Sequence, residues 1–299
     1  MANNNFDTKE LNNFKKISYE LGKNNQLVQG AGGNTSIKSE SSILIKASGK
    51  WLVKSLKNDI FVELNLNSIK RKINQSKDDN FIEDVIFNNN LRPSVETSFH
   101  ALIDFKYVLH VHSIATIANS IFYESEKLLK KILGDDIVYV PYVRPGFPLT
   151  MVMKNLIKKD SRVIILENHG LIVAGDNLDN TYHLLLQVHR NLDKIINTYN
   201  IENFNDSILN IPGYTQKNEN KYKIFKTDNK NFLFAFSKSF YPDHVAFLGP
   251  GIPFFDSFND AKTFILNLSK KNIQLPPFFI IKKFGLFENS NVILVSKEM

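Results

Sequence analysis

The chain has 299 residues, 43% of them apolar and 12% aromatic, and its 37 Lys and Arg against 30 Asp and Glu give a formal charge of +7. That length supports a substantial buried core at roughly 100 to 200 residues per domain. No run of about 18 apolar residues is present to span a bilayer, and the absence of cysteine excludes disulfides, thiolate zinc sites and cysteine nucleophiles, leaving His, Asp and Glu as metal ligands.

The excess positive charge is nearly all Lys, dispersed among Asn and Ile, where a nucleic-acid binder would gather Arg and Lys into a stripe with exposed aromatics. Neither a nucleic acid nor a membrane is therefore expected as partner. The start, Met-Ala-Asn-Asn-Asn-Phe, has no basic or apolar leader and points to the cytoplasm.

Phe6, Leu11, Phe14, Ile17 and Leu21 recur at helical steps, and Gly22 is placed to end that helix. The stretch from Gln29 to Ser36 reads as a glycine-rich loop. A strand with Ile43 and Ile45, a Ser48-Gly49 turn and a second strand from Trp51 to Val53 follow. Residues 65–80, rich in Asn, Ser, Lys and Asp without a period, read as an exposed loop. Helices are predicted over 81–89, 95–105, 114–133, 148–159 and 177–199, and strands over 107–112, 137–140 and 162–167. Strands separated by helices predict an α/β layered domain.

A stretch poor in apolar residues from about 205 to 220 marks a boundary, giving a domain of residues 1–210 and a smaller α+β unit of residues 211–299 that supports the core. Within that unit Val245 to Pro253 echoes Val140 to Pro148. In both places a helix and a strand leading into a glycine turn follow, so that His169-Gly170-Leu171 corresponds to Phe284-Gly285-Leu286. The echo reads as a degenerate repeat lacking the histidine.

Tyr107 to His112 is β-branched and aromatic enough to be a strand, on which His110 and His112, two residues apart, project to one face. Two imidazoles on one face can share an ion, and His169, following the apolar run Val163 to Leu166, is the candidate third ligand. Ordinary core or turn histidines are the alternative. A Lewis acid still needs a group to carry a proton. Glu96, after Pro93 and Ser94 at a helix start, is the candidate, and a capping glutamate is the competing reading. His100, one turn later, either orients Glu96 or a ligand, or packs. Gly30 to Ser36 matches neither the Walker loop nor the dinucleotide fingerprint. With Ser48, Gly49, Lys50 and Ser94 it offers amides and hydroxyls to a phosphate or carboxylate, or forms three ordinary turns.

Taken in order, Gly-Gly-Asn-Thr-Ser, Ala-Ser-Gly-Lys, Pro-Ser-Val-Glu with a following His, His-Val-His and Asn-His-Gly resemble the class II aldolase/adducin family over roughly residues 10 to 200. Glu-Thr-Ser-Phe-His-Ala, Leu-Glu-Asn-His-Gly-Leu and the Pro-Asp-His-Val at 242 to 245 are similar to the aldolase part of the rhamnulose-phosphate aldolase/dehydrogenase type, with no length left for the dehydrogenase half. The resemblance implies a three-layer domain with a central mixed β-sheet flanked by helices. It also implies a divalent ion, Zn2+ first, on His110, His112 and His169, with Glu96 as acid/base. Asn34, Ser48, Gly49 and Ser94 match positions that hold a substrate phosphate, and relatives form homo-oligomers. The implied activity is cleavage or formation of a carbon–carbon bond in a sugar phosphate or related sugar derivative through an enediolate. Epimerisation or decarboxylation on the same metal, and a non-catalytic adducin-like scaffold, are the alternatives. Two departures stand out. Val95 replaces a second Ser, removing a phosphate donor, and Ser113 replaces a frequent Pro after the second His.

Overall fold

Strand alternation decides which layer each residue of the sheet faces. In the computed structural model, residues 5–75, 80–86, 90–122, 124–195, 208–219, 222, 225–226, 238–239 and 241–293 are described. They divide into two compact units, residues 1–196 and 197–299. The first carries β1 (Asn34–Lys38), β2 (Ser42–Lys46), β3 (Phe61–Asn65), β4 (Tyr107–Val111), β5 (Val138–Val140), β6 (Val163–Leu166) and β7 (Gly170–Gly175). Its helices are α1 (Thr8–Lys23), α2 (Leu66–Asn74), α3 (Thr97–Leu102), α4 (Ile114–Ser120), α5 (Ser125–Leu133), α6 (Phe147–Leu156) and α7 (Leu178–Asp193).

The strands pair in the order β3-β2-β1-β4-β7-β6-β5, antiparallel except for the parallel β5–β6 pair. Leu109 and Val111 of β4 join Ile165, Leu171 and Val173 in a core closed by α1, α5 and α7. Val108, on the other face, joins Ile164, Leu166, Ile172 and Ala174 in a core closed by α3 and α6. A third cluster packs β2 and β3 against α2. The unit is thus helix layer, mixed sheet, helix layer, the architecture expected. No described helix is long and apolar enough to cross a membrane.

Several local expectations are corrected. α1 runs one residue past Gly22, to Lys23, and Gly22 serves instead as a point of close packing, since a Cβ there would collide with the backbone of Leu52 and Val53. Residues 34–36 belong to β1, fully buried between β2 and β4. Leu52–Lys54 is a 3-10 turn instead of a strand. The expected loop after residue 65 holds α2, capped by the Asn65 side chain on Ser68 N at 2.9 Å, with Leu66, Ile69 and Ile73 buried. Among the described part of 81–89 only a 3-10 turn, Ile82–Asp84, is helical, and 87–89 lie outside the described residues. The predicted helix 114–133 is two helices, separated where Glu124 takes φ 62°.

The second unit carries β8 (Tyr214–Gln216), β9 (Phe254–Phe255), β10 (Phe278–Ile281) and β11 (Gly285–Asn289) with α8 (Pro242–Leu248) and α9 (Phe258–Lys270). Its order, β8-β11-β10-β9, follows the pattern of β4-β7-β6-β5, with the same senses of pairing. The register agrees in detail. Gly285 pairs with Ile281 as Gly170 pairs with Leu166. Lys282 N donates to Phe255 O at 2.9 Å as Glu167 N donates to Val140 O at 3.0 Å. Asn168 and Lys283, at equivalent points of the turn, have φ 53° and 68°. The Pro-Gly echo does not share in this, because Val245 lies in α8 whereas Val140 ends β5.

Candidate metal centre

His110 lies on the Val108 face of β4, the central strand, and His112 follows just past the strand's end. His169 sits in the three-residue bend between β6 and β7, its N–H bonded to Leu166 O at 3.1 Å. Two glycines let these segments close on one another. A Cβ on Gly33, which holds φ 58°, would lie 2.8 Å from the His110 carbonyl, and one on Gly170 would collide with the Val111 carbonyl.

The ligand atoms of His110, His112 and His169 all lie within 4.8 Å of one another, and the three residues are 0, 5 and 3% exposed. His110 Nδ1 is 3.1 Å from Leu171 O, which only accepts, so Nδ1 carries the proton and Nε2 presents its lone pair to the group. His112 Nε2 lies 3.2 Å from that nitrogen. Two bare imidazole nitrogens so close oppose their lone pairs unless a proton or cation stands between them. Burial, with His112 and His169 adding to it against the pull of Glu96, drops the His110 pKa to about 3, leaving a neutral ring ready to coordinate. Three convergent imidazoles with a carboxylate alongside fit a divalent ion.

Glu96 completes the group. It immediately precedes α3 but makes no capping bond, and its carboxylate points inward instead. Oε1 is 3.1 Å from His169 Nε2 and Oε2 is 3.6 Å from His110 Nε2. Burial would raise this carboxyl, but the imidazoles of His110, His169 and His112 hold it well below the usual carboxylate range, so Glu96 is ionised.

The other candidates adjoin it. Asn34 Nδ2 donates to Glu96 Oε2 at 2.6 Å and to Ser94 Oγ at 3.4 Å, and Asn34 Oδ1 accepts from His100 Nε2. Ser94 Oγ also accepts from Glu96 N at 3.2 Å. Ser48 N donates to Arg92 O at 2.9 Å, which ties the exposed Ser48-Gly49 turn to the segment carrying Ser94. Val95 points outward, 57% exposed.

Sequence reasoning missed two supports. Buried Lys46 donates to Ala31 O and, at 2.7 Å, to Lys50 O, holding the two glycine turns together. Its only signal was its place on β2, one residue past the apolar Ile45. Ser36 Oγ lies 2.8 Å from His100 Nδ1, and its signal was the two-residue step from Asn34 along one strand face. Ser113, noted for the absent Pro, caps α4 by accepting from Thr116 N at 3.1 Å and lies 2.9 Å from His189 Nδ1 on α7.

Residues 15–194 match the family model described as Class II Aldolase and Adducin N-terminal domain. Over 179 residues the chain is 31% identical to L-fuculose phosphate aldolase of Methanocaldococcus jannaschii, covering 56% of this chain and 86% of that protein. It is 27% identical over 194 residues to an uncharacterized oxidoreductase, YuxG, of Bacillus subtilis, where the match covers 59% of this chain and 28% of the relative's length. Among solved structures it is similar to the N-terminal class II aldolase domain of a conserved protein from Thermoplasma acidophilum, with TM-score 0.58, 26% identity, and coverage of 66% of this chain and 98% of that one.

Proposed function

The chain belongs to the class II aldolase and adducin family, and from that premise we propose that it is a divalent-metal-dependent lyase that cleaves or forms a carbon–carbon bond in a sugar phosphate or related sugar derivative. The observation that carries this reading is the ionised, buried Glu96 placed 3.1 and 3.6 Å from two imidazoles of a three-histidine group. His110, His112 and His169 hold the ion, Zn2+ in first place. When bound it supplies a Lewis acid that polarises a carbonyl and offsets the negative charge of carbon–carbon cleavage.

Glu96 supplies the other half of the chemistry. A carboxylate held ionised without solvent accepts a proton from a substrate hydroxyl or carbon at Oε1, and returns it in the reverse direction. Ser48, Gly49 and Ser94 form the side on which the substrate's anionic or hydroxylated tail rests, with Asn34 between that side and the carboxylate. Val95 in place of a second Ser beside Ser94 takes one hydroxyl away from this side and weakens a phosphate grip, so sugar derivatives with a weaker anionic tail belong in the substrate screen. The chain works as a homo-oligomer in the cytoplasm.

The test pairs metal analysis of the purified full chain with a screen of ketose phosphates and free ketoses for release of an aldehyde. Near-stoichiometric metal and a trapped aldehyde are expected. Negligible metal would end the reading, and interconversion of substrates without fragmentation would replace it with an epimerase.

A further inference from the structure

We propose that Arg144 forms an oxyanion subsite beside the metal centre, on the flank opposite Ser48 and Gly49, and that the substrate is a sugar derivative carrying a carboxylate or phosphate at the end that meets this flank. Its catalytic meaning rests on the lyase reading above, while its place follows from the course of the chain between β5 and α6.

His110 lies on the face of the sheet closed by α3 and α6, and the segment joining β5 to α6 crosses to that face at the end of the sheet where the imidazoles stand. β5 pairs in parallel with β6, so that Val140, its last residue, lies opposite Leu166, three residues before His169. The segment is tied down on both sides of the group. At its start Tyr142 N donates to Glu167 Oε2 at 2.8 Å and Glu167 N donates to Val140 O at 3.0 Å, two residues from His169. At its finish Thr150 N donates to Gly146 O at 3.2 Å, and Thr150 Oγ1 lies 2.7 Å from Ser98 Oγ, two residues from Glu96. Residues 141–146 therefore run from the bend that carries His169 to the helix that begins beside Glu96, along the margin of the site. In the sheet order, Ser48, just past β2, and this segment, just past β5, fall on opposite sides of β4.

Within the segment Val143 packs inward on the core that Val108 joins, while its neighbours Tyr142 and Arg144 are exposed. Pro145 confines Arg144 to an extended backbone, and Gly146 takes φ 98° at the start of α6. The guanidinium thus projects from a short, anchored stretch of chain, and among the described residues Arg144 makes no ion pair or side-chain hydrogen bond. Basic positions in this sequence are nearly all Lys, which suffices where a side chain is only solvated. A planar, two-pronged grip on a carboxylate or phosphate requires Arg. Val95 removes a hydroxyl from the Ser94 side and Arg144 adds a guanidinium across from it, so the strongest contact to an anion moves from one end of the substrate to the other.

Three 2-hydroxy acids that share a head and differ at the third carbon test this. Lactate ends there in a methyl, malate carries a carboxylate and 3-phosphoglycerate a phosphate ester. Titrated by calorimetry into the full chain supplied with Zn2+, malate or 3-phosphoglycerate is expected to bind more tightly than lactate, and the larger gain identifies the oxyanion. Arg144→Met is expected to cut that advantage at least about tenfold, the worth of a charge-assisted pair, and Arg144→Lys to recover part of it. An undiminished advantage in Arg144→Met overturns the proposal, as does a loss that falls equally on lactate, or a parental chain that favours neither anion over lactate. Once a cleaved substrate is in hand, Arg144→Met is expected to raise KM for an acidic sugar at least about tenfold more than for a neutral ketose, with kcat for the acidic sugar within about twofold. Negligible metal, or no cleavage of any ketose by the parental chain, would sink the lyase reading, while the ratio of affinities among the three acids would still decide the role of Arg144.

Discussion

The four strands β4-β7-β6-β5 of the first unit and β8-β11-β10-β9 of the second share order, pairing sense and register, yet their ends differ in chemistry. By register, the positions of His110, His112 and His169 in the first are taken by Gln216, Asn218 and Phe284 in the second. Gln216 Nε2 donates to Phe284 O at 2.9 Å, using the same strand end to brace a turn. The scaffold is therefore indifferent to the chemistry it bears. A reactive site needs polar groups that the fold itself does not require, together with a carboxylate from a helix, and the second unit has no counterpart of Glu96 among its described residues at that strand end.

The sharpest way to break this comparison is Glu96→Gln. The amide cannot accept the proton, so turnover is expected to drop by about 10² to 10⁴-fold while metal content holds. Retained activity would mean that another base acts. Next is His112→Ala, for which metal titration is expected to show at least about tenfold weaker binding, because two imidazoles remain where three converged. Equal binding would detach the ion from this group. The converse substitution sharpens the parallel. Gln216→His, Asn218→His and Phe284→His together are expected to give the second unit an additional weak site, read as a rise in bound ion per chain. No rise would show that shared register does not extend to side-chain aim.

The smallest effect concerns acid. The folded pKa of His110, about 3, lies below the ordinary histidine value of 6.5, so between those pH values the unfolded chain binds a proton that the native one refuses. Stability of the metal-free protein is expected to fall as pH drops below 6.5, by roughly 2 kcal/mol at pH 5 on this account. The depressed Glu96 acts in the same sense below the ordinary carboxylate value of 4.5, its contribution being lost as pH falls through the native pKa. Urea midpoints of metal-free protein at pH 7.5 and 5 measure the fall, and His110→Asn is expected to flatten it.

The paired histidines were legible because a strand's two-residue period is local, and His169 because an apolar run ends beside it. Glu96 was legible as a helix-start carboxylate, but its inward aim was not, since a capping role has the same local signature. The hydrogen bonds joining Ser36, His100 and Asn34 were hidden altogether. They exist because β1 pairs with β4, opposing Asn34 to His110 across a separation in sequence that no periodicity reports. α2 was hidden for another reason. Its surface composition of Asn, Ser and Lys resembles a loop, and only Leu66, Ile69 and Ile73, at three- and four-residue steps, mark the buried face. The 3-10 turn at Leu52–Lys54 shows the reverse error, an apolar run short enough to suit either state.

The contact between Gly170 and the Val111 carbonyl ties the bend that carries one imidazole directly to the strand that carries the other two. The three imidazoles are therefore presented by backbone segments already held against one another. Loading is expected to be a single rapid step that leaves the far-ultraviolet circular dichroism unchanged, with selectivity among ions set by the spacing of the three imidazoles.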